Sequence, residues 1–225
     1  STMSLNGRVA LVTGGGRGIG KAISLALAAD GATIAVNYRR DEESALATVA
    51  EIEKAGDRAK AYSASVENWD EDVAMVEKVL ADFGAVDILI NNAGIASRGQ
   101  GVADTDPAEM ERVVRTHAFG PHYLSKLVLP SMRTRPRGDI IMISSVAAKS
   151  LGPNGAPYNM GKAAMEALAM TLFKEERRNN IRVNVVRPGL TETEMGSRLA
   201  KATQGVQSMR DIDARSAFGR VAQPE

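Results

Sequence analysis

The chain has 225 residues but no cysteine, two histidines, one tryptophan and 4% aromatics. Without thiols it can form neither a disulfide nor a thiolate metal site. Two histidines argue against a histidine-based metal centre, so no metal is expected. An excess of one charge is also missing. The 28 Lys and Arg residues against 27 Asp and Glu leave a net charge of +1. No global field therefore draws the chain to nucleic acid or to a membrane surface. No segment approaches the ~18 consecutive apolar residues of a membrane-spanning helix. The amino terminus lacks the apolar core of a signal peptide, and a cytoplasmic protein is expected. Ser1-Thr2 before Met3 reads as an expression remnant, and residues 1–4 are expected to be disordered or non-native.

The hydrophobic fraction of 44% is enough for a sizeable core. Residues 1–225 suit a single domain. Strand-type and helix-type patterns alternate without a linker or repeat. Strands are expected near Val9–Thr13, Thr33–Asn37, Ala59–Ser63, Asp87–Asn91, Asp139–Ser144 and Arg182–Arg187. Helices are expected near Gly18–Ala29, Glu42–Lys54, Glu71–Phe83, Pro107–Met132, Pro157–Arg178 and Glu194–Ala202. Repeated strand–helix units with β-branched strand interiors imply an α/β fold, a doubly wound parallel sheet with helices on both faces.

Glycine is concentrated where the first strand ends. Val9 to Val12 is an apolar run, and Gly14-Gly15-Gly16-Arg17-Gly18-Ile19-Gly20 follows before the first helix. A strand, a glycine loop and a helix in that order aim backbone N–H groups and a helix N-terminus at a pyrophosphate. The glycines fall as Gly14-x-x-x-Gly18-x-Gly20 rather than Gly-x-Gly-x-x-Gly. The mechanics are the same: a tight turn and close approach of a ligand to the backbone.

A second cluster lies later in the chain. Tyr158 and Lys162 are four residues apart, one face of a helix. A phenol titrates near ~10 in water, and a fixed cation beside it stabilises the phenolate. A serine hydroxyl from a neighbouring strand end, Ser145, can bond the same substrate oxygen. Such a set moves a proton to or from an alcohol or carbonyl oxygen. An exposed i,i+4 pair on a helix surface is the alternative.

Taken together, Thr13-Gly14-x-x-x-Gly18-x-Gly20, Asn91-Asn92-Ala93-Gly94, Ser145, Tyr158-x-x-x-Lys162 and Pro188-Gly189 resemble the short-chain dehydrogenase/reductase family in order and spacing. The resemblance runs from Leu5 onward and leans toward the 3-oxoacyl-[acyl-carrier-protein] reductases. It implies a Rossmann-type domain and hydride transfer between a nicotinamide and a substrate carbon. It also implies Tyr158 as the acid, Ser145 as the holder of the substrate oxygen, and Lys162 as the cation that also bonds the nicotinamide ribose. Ser65-Val66 matches the adenine contact, although Ser65 stands where an Asp or Asn is usual. Asn92, Ala93 and Gly94 match the segment beside the adenine ribose. Pro188-Gly189-Leu190-Thr191-Glu192-Thr193 matches the carboxamide holder, with Thr191 acting through its backbone and Thr193 through its hydroxyl. For Asn91 we expect a bracing role between strands.

Cofactor choice follows from the end of the second strand. An acid there would bond a ribose 2′-hydroxyl and repel a 2′-phosphate. The position is Tyr38, followed by Arg39 and Arg40, and Arg17 stands in the glycine loop. Arginine's planar fork suits phosphate, so NADP(H) is favoured over NAD(H). A solvated turn is the other reading of Arg39 and Arg40. His117 departs from the family, which usually has asparagine there to hold a helix distortion. Four readings stay open: the same work as asparagine, a proton shuttle, lost activity, or an interior histidine. The segment 196–217, with Arg198, Lys201, Arg210 and Arg215, is expected to form a flexible lid. Arg133, Arg135 and Arg137 form a second basic cluster. Both could receive an acidic carrier, and plain solvated surface is the alternative for each.

The segment Ala156 to Phe173 carries Met160, Ala163, Met165, Leu168, Met170 and Phe173 around most of its circumference. A helix of that kind is buried on two sides, which predicts a homodimer or homotetramer. The chain stops where the family usually continues into another helix and a seventh strand. Three functions remain. One is an NADP(H)-dependent reductase of a ketone, foremost a carrier-bound 3-oxoacyl thioester. The second is a dehydrogenase of another small alcohol, sugar or steroid. The third is a nucleotide-binding protein without turnover.

Overall fold

Valine, isoleucine and alanine dominate the strand segments, and side chains that alternate along them go to opposite faces. In the computed structural model, which describes residues 5–189 and 191–204, these segments form six parallel strands. They are β1 (Val9–Val12), β2 (Thr33–Tyr38), β3 (Ala59–Ser63), β4 (Ile88–Asn91), β5 (Gly138–Ile143) and β6 (Ile181–Val186). Their order in the sheet is β3-β2-β1-β4-β5-β6. The helices are α1 (Gly18–Ala29), α2 (Glu42–Lys54), α3 (Trp69–Phe83), α4 (Pro107–Val114), α5 (Gly120–Met132), α6 (Ala147–Ser150), α7 (Ala156–Glu176) and α8 (Glu192–Ala202).

Two cores result. Ala10 and Val12 of β1 pack with Ile23 and Leu27 of α1, Ile52 of α2 and Leu199 of α8. Val9 and Leu11 point the other way, toward Val79 of α3, Val128 of α5 and Met165 of α7. The fold is therefore α/β and doubly wound. Among the described residues no helix is long and apolar enough to cross a membrane, and no cluster of three or more His, Cys, Asp or Glu could hold a metal.

The segment expected as one helix, 107–132, is broken. α4 ends at Val114, and a π-helical turn, Arg115–Phe119, precedes α5. One extra residue in a turn barely disturbs apolar spacing, so periodicity does not reveal it; such turns gather at functional sites.

The second basic cluster is not a free surface. Arg133 pairs with Glu176 at 2.6 Å, Arg135 with Asp87 at 2.7 Å and Arg137 with Asp139 at 3.0 Å. Asp87 and Asp139 are buried at the amino ends of β4 and β5. Asp139 also takes Arg8 at 2.7 Å, and Asp87 accepts the Val9 amide at 2.8 Å. These arginines neutralise buried carboxylates, and removing one would strand a buried charge. Nor does the first part of the expected lid behave as one. Residues 196–202 lie in α8, flush against α1: a Cβ on Gly196 would meet the Ala22 carbonyl oxygen at 2.4 Å. Residues 1–4 and 205–225, with Arg210 and Arg215, lie outside the described residues.

One buried acid has no partner. Asp72, in the first turns of α3, is fully buried, and neither carboxylate oxygen has a hydrogen-bond partner among the described residues. Burial, then the charges of Glu67 and Glu71, push its carboxyl up to about 8. The folded chain thus keeps a proton that the unfolded chain releases near ~3.9. Stability is full below that value and is lost as pH rises toward about 8. Asp72→Asn, isosteric with the neutral acid, should raise the melting temperature by several degrees at pH 8. At pH 4 the gain should vanish. Thermal melts of both proteins across that range check the slope.

Candidate active site

The strand order reverses between β1 and β4, which opens a crevice at their carboxyl ends. Thr13, just past β1, closes its floor. Its hydroxyl donates to the Ile90 carbonyl at 3.2 Å and accepts the Asn92 and Ala93 amides, each at 2.9 Å. Asn92 returns its side-chain amide to the carbonyls of Thr13 and Gly14 at 3.1 and 3.3 Å. The glycine loop and the Asn92–Gly94 segment are thereby fixed side by side. Asn37 of β2 completes the floor, although its sequence context gave no functional signal. It is buried, accepts the Gly14 amide at 3.2 Å and donates to the Ala64 carbonyl at 3.1 Å. Asn91 donates to the Met142 sulfur on β5 at 3.3 Å.

Gly14 and Gly18 have φ of 57° and 55°, a left-handed backbone that favours glycine. At Gly20 the constraint is space, because a Cβ would sit 2.0 Å from the Gly14 carbonyl oxygen. α2, α3, α4 and α8 are capped by the side chains of Asp41, Asn68, Asp106 and Thr191. α1 has no side-chain cap and no acid in its first turn. Its leading N–H groups, including those of Ile19 and Gly20, have no partner within the helix, and Gly18 at its start lines the crevice. That is the donor set a pyrophosphate needs, so the residues present fit a dinucleotide.

The crevice, about 480 Å³, runs from Tyr38 and Arg39 past Gly16 and Val66 to Gly94 and Ile95. Arg17 and Arg39 are exposed at its rim. Asp41 is the only acid among Tyr38-Arg39-Arg40-Asp41, and it is engaged. It caps α2, accepting from the Ser44 amide at 3.0 Å and its hydroxyl at 2.7 Å, with Arg17 3.8 Å away. Those two bonds, first the amide, hold its carboxyl below the usual range. Ala64 and Val66 line the crevice, whereas Ser65 does not. The Ser65 amide donates instead to Glu71 at 3.1 Å. Pro188 and Gly189 follow β6 after one residue, Arg187. Thr191 is occupied as a helix cap: its hydroxyl accepts the Glu194 amide at 3.2 Å and its amide donates to the Glu194 carboxylate at 3.0 Å. Thr193 is exposed within α8. None of Pro188, Gly189, Thr191 and Thr193 lines the crevice.

The residues expected to handle the proton lie near the carboxyl end of β5. α7 presents Tyr158, half-buried, and one turn on Lys162, 4% exposed. The Lys162 Nζ donates to the Ile143 carbonyl, the last residue of β5, at 2.7 Å and lies 5.8 Å from the Tyr158 ring centre. Burial lowers the Lys162 ammonium to about 8, against an upward pull from Glu166. Ser145 follows two residues after Ile143, and its Oγ accepts the Ala147 amide at 3.1 Å. The hydroxyl proton is left to point elsewhere.

His117 sits in the π turn against this corner. Its ring stands edge-on to Tyr158 with centres 5.1 Å apart. The Ile95 peptides grip it: Nε2 lies 2.7 Å from the Ile95 carbonyl oxygen and 3.2 Å from the Ile95 amide. Two bare acceptors do not settle at the shorter distance, so we assign the proton to Nε2. Nδ1 is then a buried acceptor with no partner among the described residues. Glycines make the room. A Cβ on Gly94 would stand 2.5 Å from His117 Cε1, and one on Gly161 would stand 2.9 Å from His117 Cβ. Burial first, then the Lys162 charge, push the imidazole down to about 4, while the Ile95 bond opposes them.

The family profile for short chain dehydrogenases matches residues 8–204. The chain belongs to that family. This short-chain dehydrogenase is 38% identical over 196 residues to a 3-oxoacyl-[acyl-carrier-protein] reductase of Synechocystis, covering 87% of this chain and 79% of that one. It is 37% identical over 191 residues to a reductase of the same name from Staphylococcus aureus, covering 85% and 77%. Among solved structures it resembles a metagenomic short-chain oxidoreductase in complex with NADP, with a TM-score of 0.86, 33% identity and coverage of 90% and 93%. A short chain dehydrogenase of Burkholderia cenocepacia, also with NADP, gives 0.84, 29%, and coverage of 90% and 92%.

Two outcomes follow for His117 in this dehydrogenase. Its imidazole should stay neutral from pH 8 to 5 and titrate near about 4 by ¹⁵N NMR. A midpoint near the ordinary ~6.5 would overturn the buried, Ile95-bound placement. Because the folded value is depressed, this group's contribution to stability holds above ~6.5 and is lost as pH falls toward 4. Separately, Gly94→Ala should lower the melting temperature by driving a methyl into the ring. Combined with His117→Asn, whose side chain is shorter, most of that loss should disappear. Equal losses in both backgrounds would show that the ring is not the obstacle.

Proposed function

We propose that this short-chain dehydrogenase reduces the ketone of a 3-oxoacyl thioester with NADPH. The observation that carries the reading is the convergence of Tyr158, buried Lys162 and Ser145 at the carboxyl end of β5, next to a crevice with unpaired helix N–H groups. The glycine-loop amides, Asn92, Ala93, Gly94 and Lys162 would hold the dinucleotide. Arg17, Tyr38 and Arg39 would take the 2′-phosphate, since the nearby Asp41 is consumed as a cap. When bound, the nicotinamide supplies the hydride, the chemistry no side chain offers.

The protein's part is the proton. Tyr158 gives its phenolic proton to the ketone oxygen. Ser145 donates a hydrogen bond to the same oxygen, its lone pair already committed to the Ala147 amide. Lys162, held by Ile143, places a positive charge beside the phenolate that remains. Val146 and Leu151, 63% and 60% exposed between Ser145 and Tyr158, give this rim an apolar surface. That surface supports an acyl substrate over a sugar or polyol. Met160 and Met170, exposed on α7, support a homodimer or homotetramer, and we place the enzyme in the cytoplasm.

NADPH oxidation should be measured against a 3-oxoacyl thioester, simple ketones, a keto-sugar and a ketosteroid. The thioester should turn over fastest. A preferred sugar or steroid would reassign the substrate, and no turnover with tight NADPH binding would indicate a non-catalytic binder. Tyr158→Phe should lose at least ~10² in turnover, the lower range for a positioned general acid. Arg39→Ala should weaken NADPH about tenfold and leave NADH nearly unchanged, because a charge-assisted bond to the 2′-phosphate is lost. Titration of both nucleotides checks this, and tighter NADH binding by the wild type would reverse the assignment.

A further inference from the structure

Tyr158, Lys162 and Glu166 are spaced four apart and share one stripe of α7. The third has no role in the proton transfer just described, yet it is 8% exposed and carries a carboxylate. Each oxygen is claimed. Oε2 accepts from the Ser144 hydroxyl at 2.6 Å and from Arg187 Nε at 3.0 Å, and Oε1 accepts from Arg187 Nη2. The guanidinium grips it with two nitrogens, the strong and directional form of such a pair. Ser144 immediately precedes Ser145. Arg187 immediately precedes Pro188-Gly189. One carboxylate therefore fastens the ends of β5 and β6 to the helix that bears the tyrosine and the lysine.

We propose that Glu166, with Arg187 as counter-ion, is a positioning residue that sets the electrostatic surroundings of Lys162 and locks Ser145 and Pro188-Gly189 to α7. Lys162 faces few charges. From its own helix come Tyr158 and Glu166, from the π turn His117, and from the residue after β6 Arg187, behind Glu166; the end of β5 offers the Ile143 carbonyl, and Ser144 and Ser145 follow it. His117 is neutral over the working range. Burial works against the ammonium, and among the described residues Glu166 is the group that pulls the other way. Replacing Glu166 by a neutral amide of the same shape keeps one acceptor oxygen, for Ser144 and Arg187 Nε, and gives up the acceptor that faces Arg187 Nη2. It removes the charge.

The proposal rests on reading Lys162 as part of the proton-handling set, so its test includes a measurement that needs neither cofactor nor substrate. The whole chain is labelled with ¹³Cε-lysine, and the Lys162 signal is identified by its loss in Lys162→Met. Its titration midpoint in the wild type is expected near about 8. In Glu166→Gln it should fall by on the order of one pH unit, the size expected when an opposite charge a few ångströms away is lost. The alkaline limb of kcat should move down equally, with KM for the ketone little changed. A folded Glu166→Gln protein whose midpoint does not fall overturns the proposal, even if its melting temperature drops, because a merely structural role would do that alone. A midpoint that falls in a chain that reduces no ketone keeps this role for Glu166 and discards the reductase reading instead. Where circular dichroism shows Glu166→Gln to be unfolded, Glu166→Gln/Arg187→Met replaces it. That double variant removes the carboxylate without leaving the Arg187 guanidinium unpaired, and a smaller downward shift is expected of it, because a cation leaves with the anion.

Discussion

The Thr13 hydroxyl joins the two halves of this sheet at the place where they part. A parallel sheet whose order reverses must leave a gap at the carboxyl ends of the strands on either side. Here those strands are β1 and β4, and the hydroxyl spans them with three hydrogen bonds. The glycine loop leaves one side of the gap and Asn92–Gly94 leaves the other. Were they free to separate, neither the unpaired amides of α1 nor Ile95 would stand where the other residues require them. From Ile95 the constraint passes to His117, from His117 to Tyr158, and along α7 to Lys162 and Glu166. A threonine satisfies this because its small side chain donates once and accepts twice.

Charge is arranged differently at the two ends of the strands. At the amino ends, Asp87 and Asp139 are buried but meet Arg8, Arg135 and Arg137. At the carboxyl ends, Lys162 is buried against a carbonyl, and its nearest carboxylate is already shared with Arg187. Two arginines meet the Asp139 carboxylate at the amino ends, against burial that pushes its carboxyl up. A buried cation with incomplete compensation can respond to a proton or a ligand. The two ends of the strands are thus distinguished by how their buried charges are paired.

Much of this was legible in the sequence because it depends on local patterns. β-branched residues marked five of the six strands, β3 (Ala59–Ser63) having none, and α1 and α2 match their expected bounds. The crevice could be placed from Gly14, Gly18 and Gly20, since close backbone approach demands glycine wherever it occurs. What escaped is what depends on pairing across the fold. Asn37, Glu166 and Arg187 look like ordinary polar residues until three strands and a helix converge on them. Arg133, Arg135 and Arg137 look like a basic surface because their acids lie 43, 48 and 2 residues away in sequence. The π turn was hidden because it preserves the apolar face. His117 stood out only against the family's asparagine, and the structure shows what it grips.

The close fit of α8 on α1 also bears on time. With the Ala22 carbonyl lying where a Cβ of Gly196 would be, the two helices form one slab, and α8 cannot swing alone. Yet the exposed Glu192, on its first turn, reaches over the glycine loop to within 3.6 Å of where a Gly18 Cβ would stand. That side chain borders the glycine loop at the rim. Exposed rotamers interconvert in picoseconds to nanoseconds, whereas packed helices shift together in microseconds or longer. At this edge of the crevice an exposed side chain moves fast, while the α1–α8 pair that carries it moves slowly.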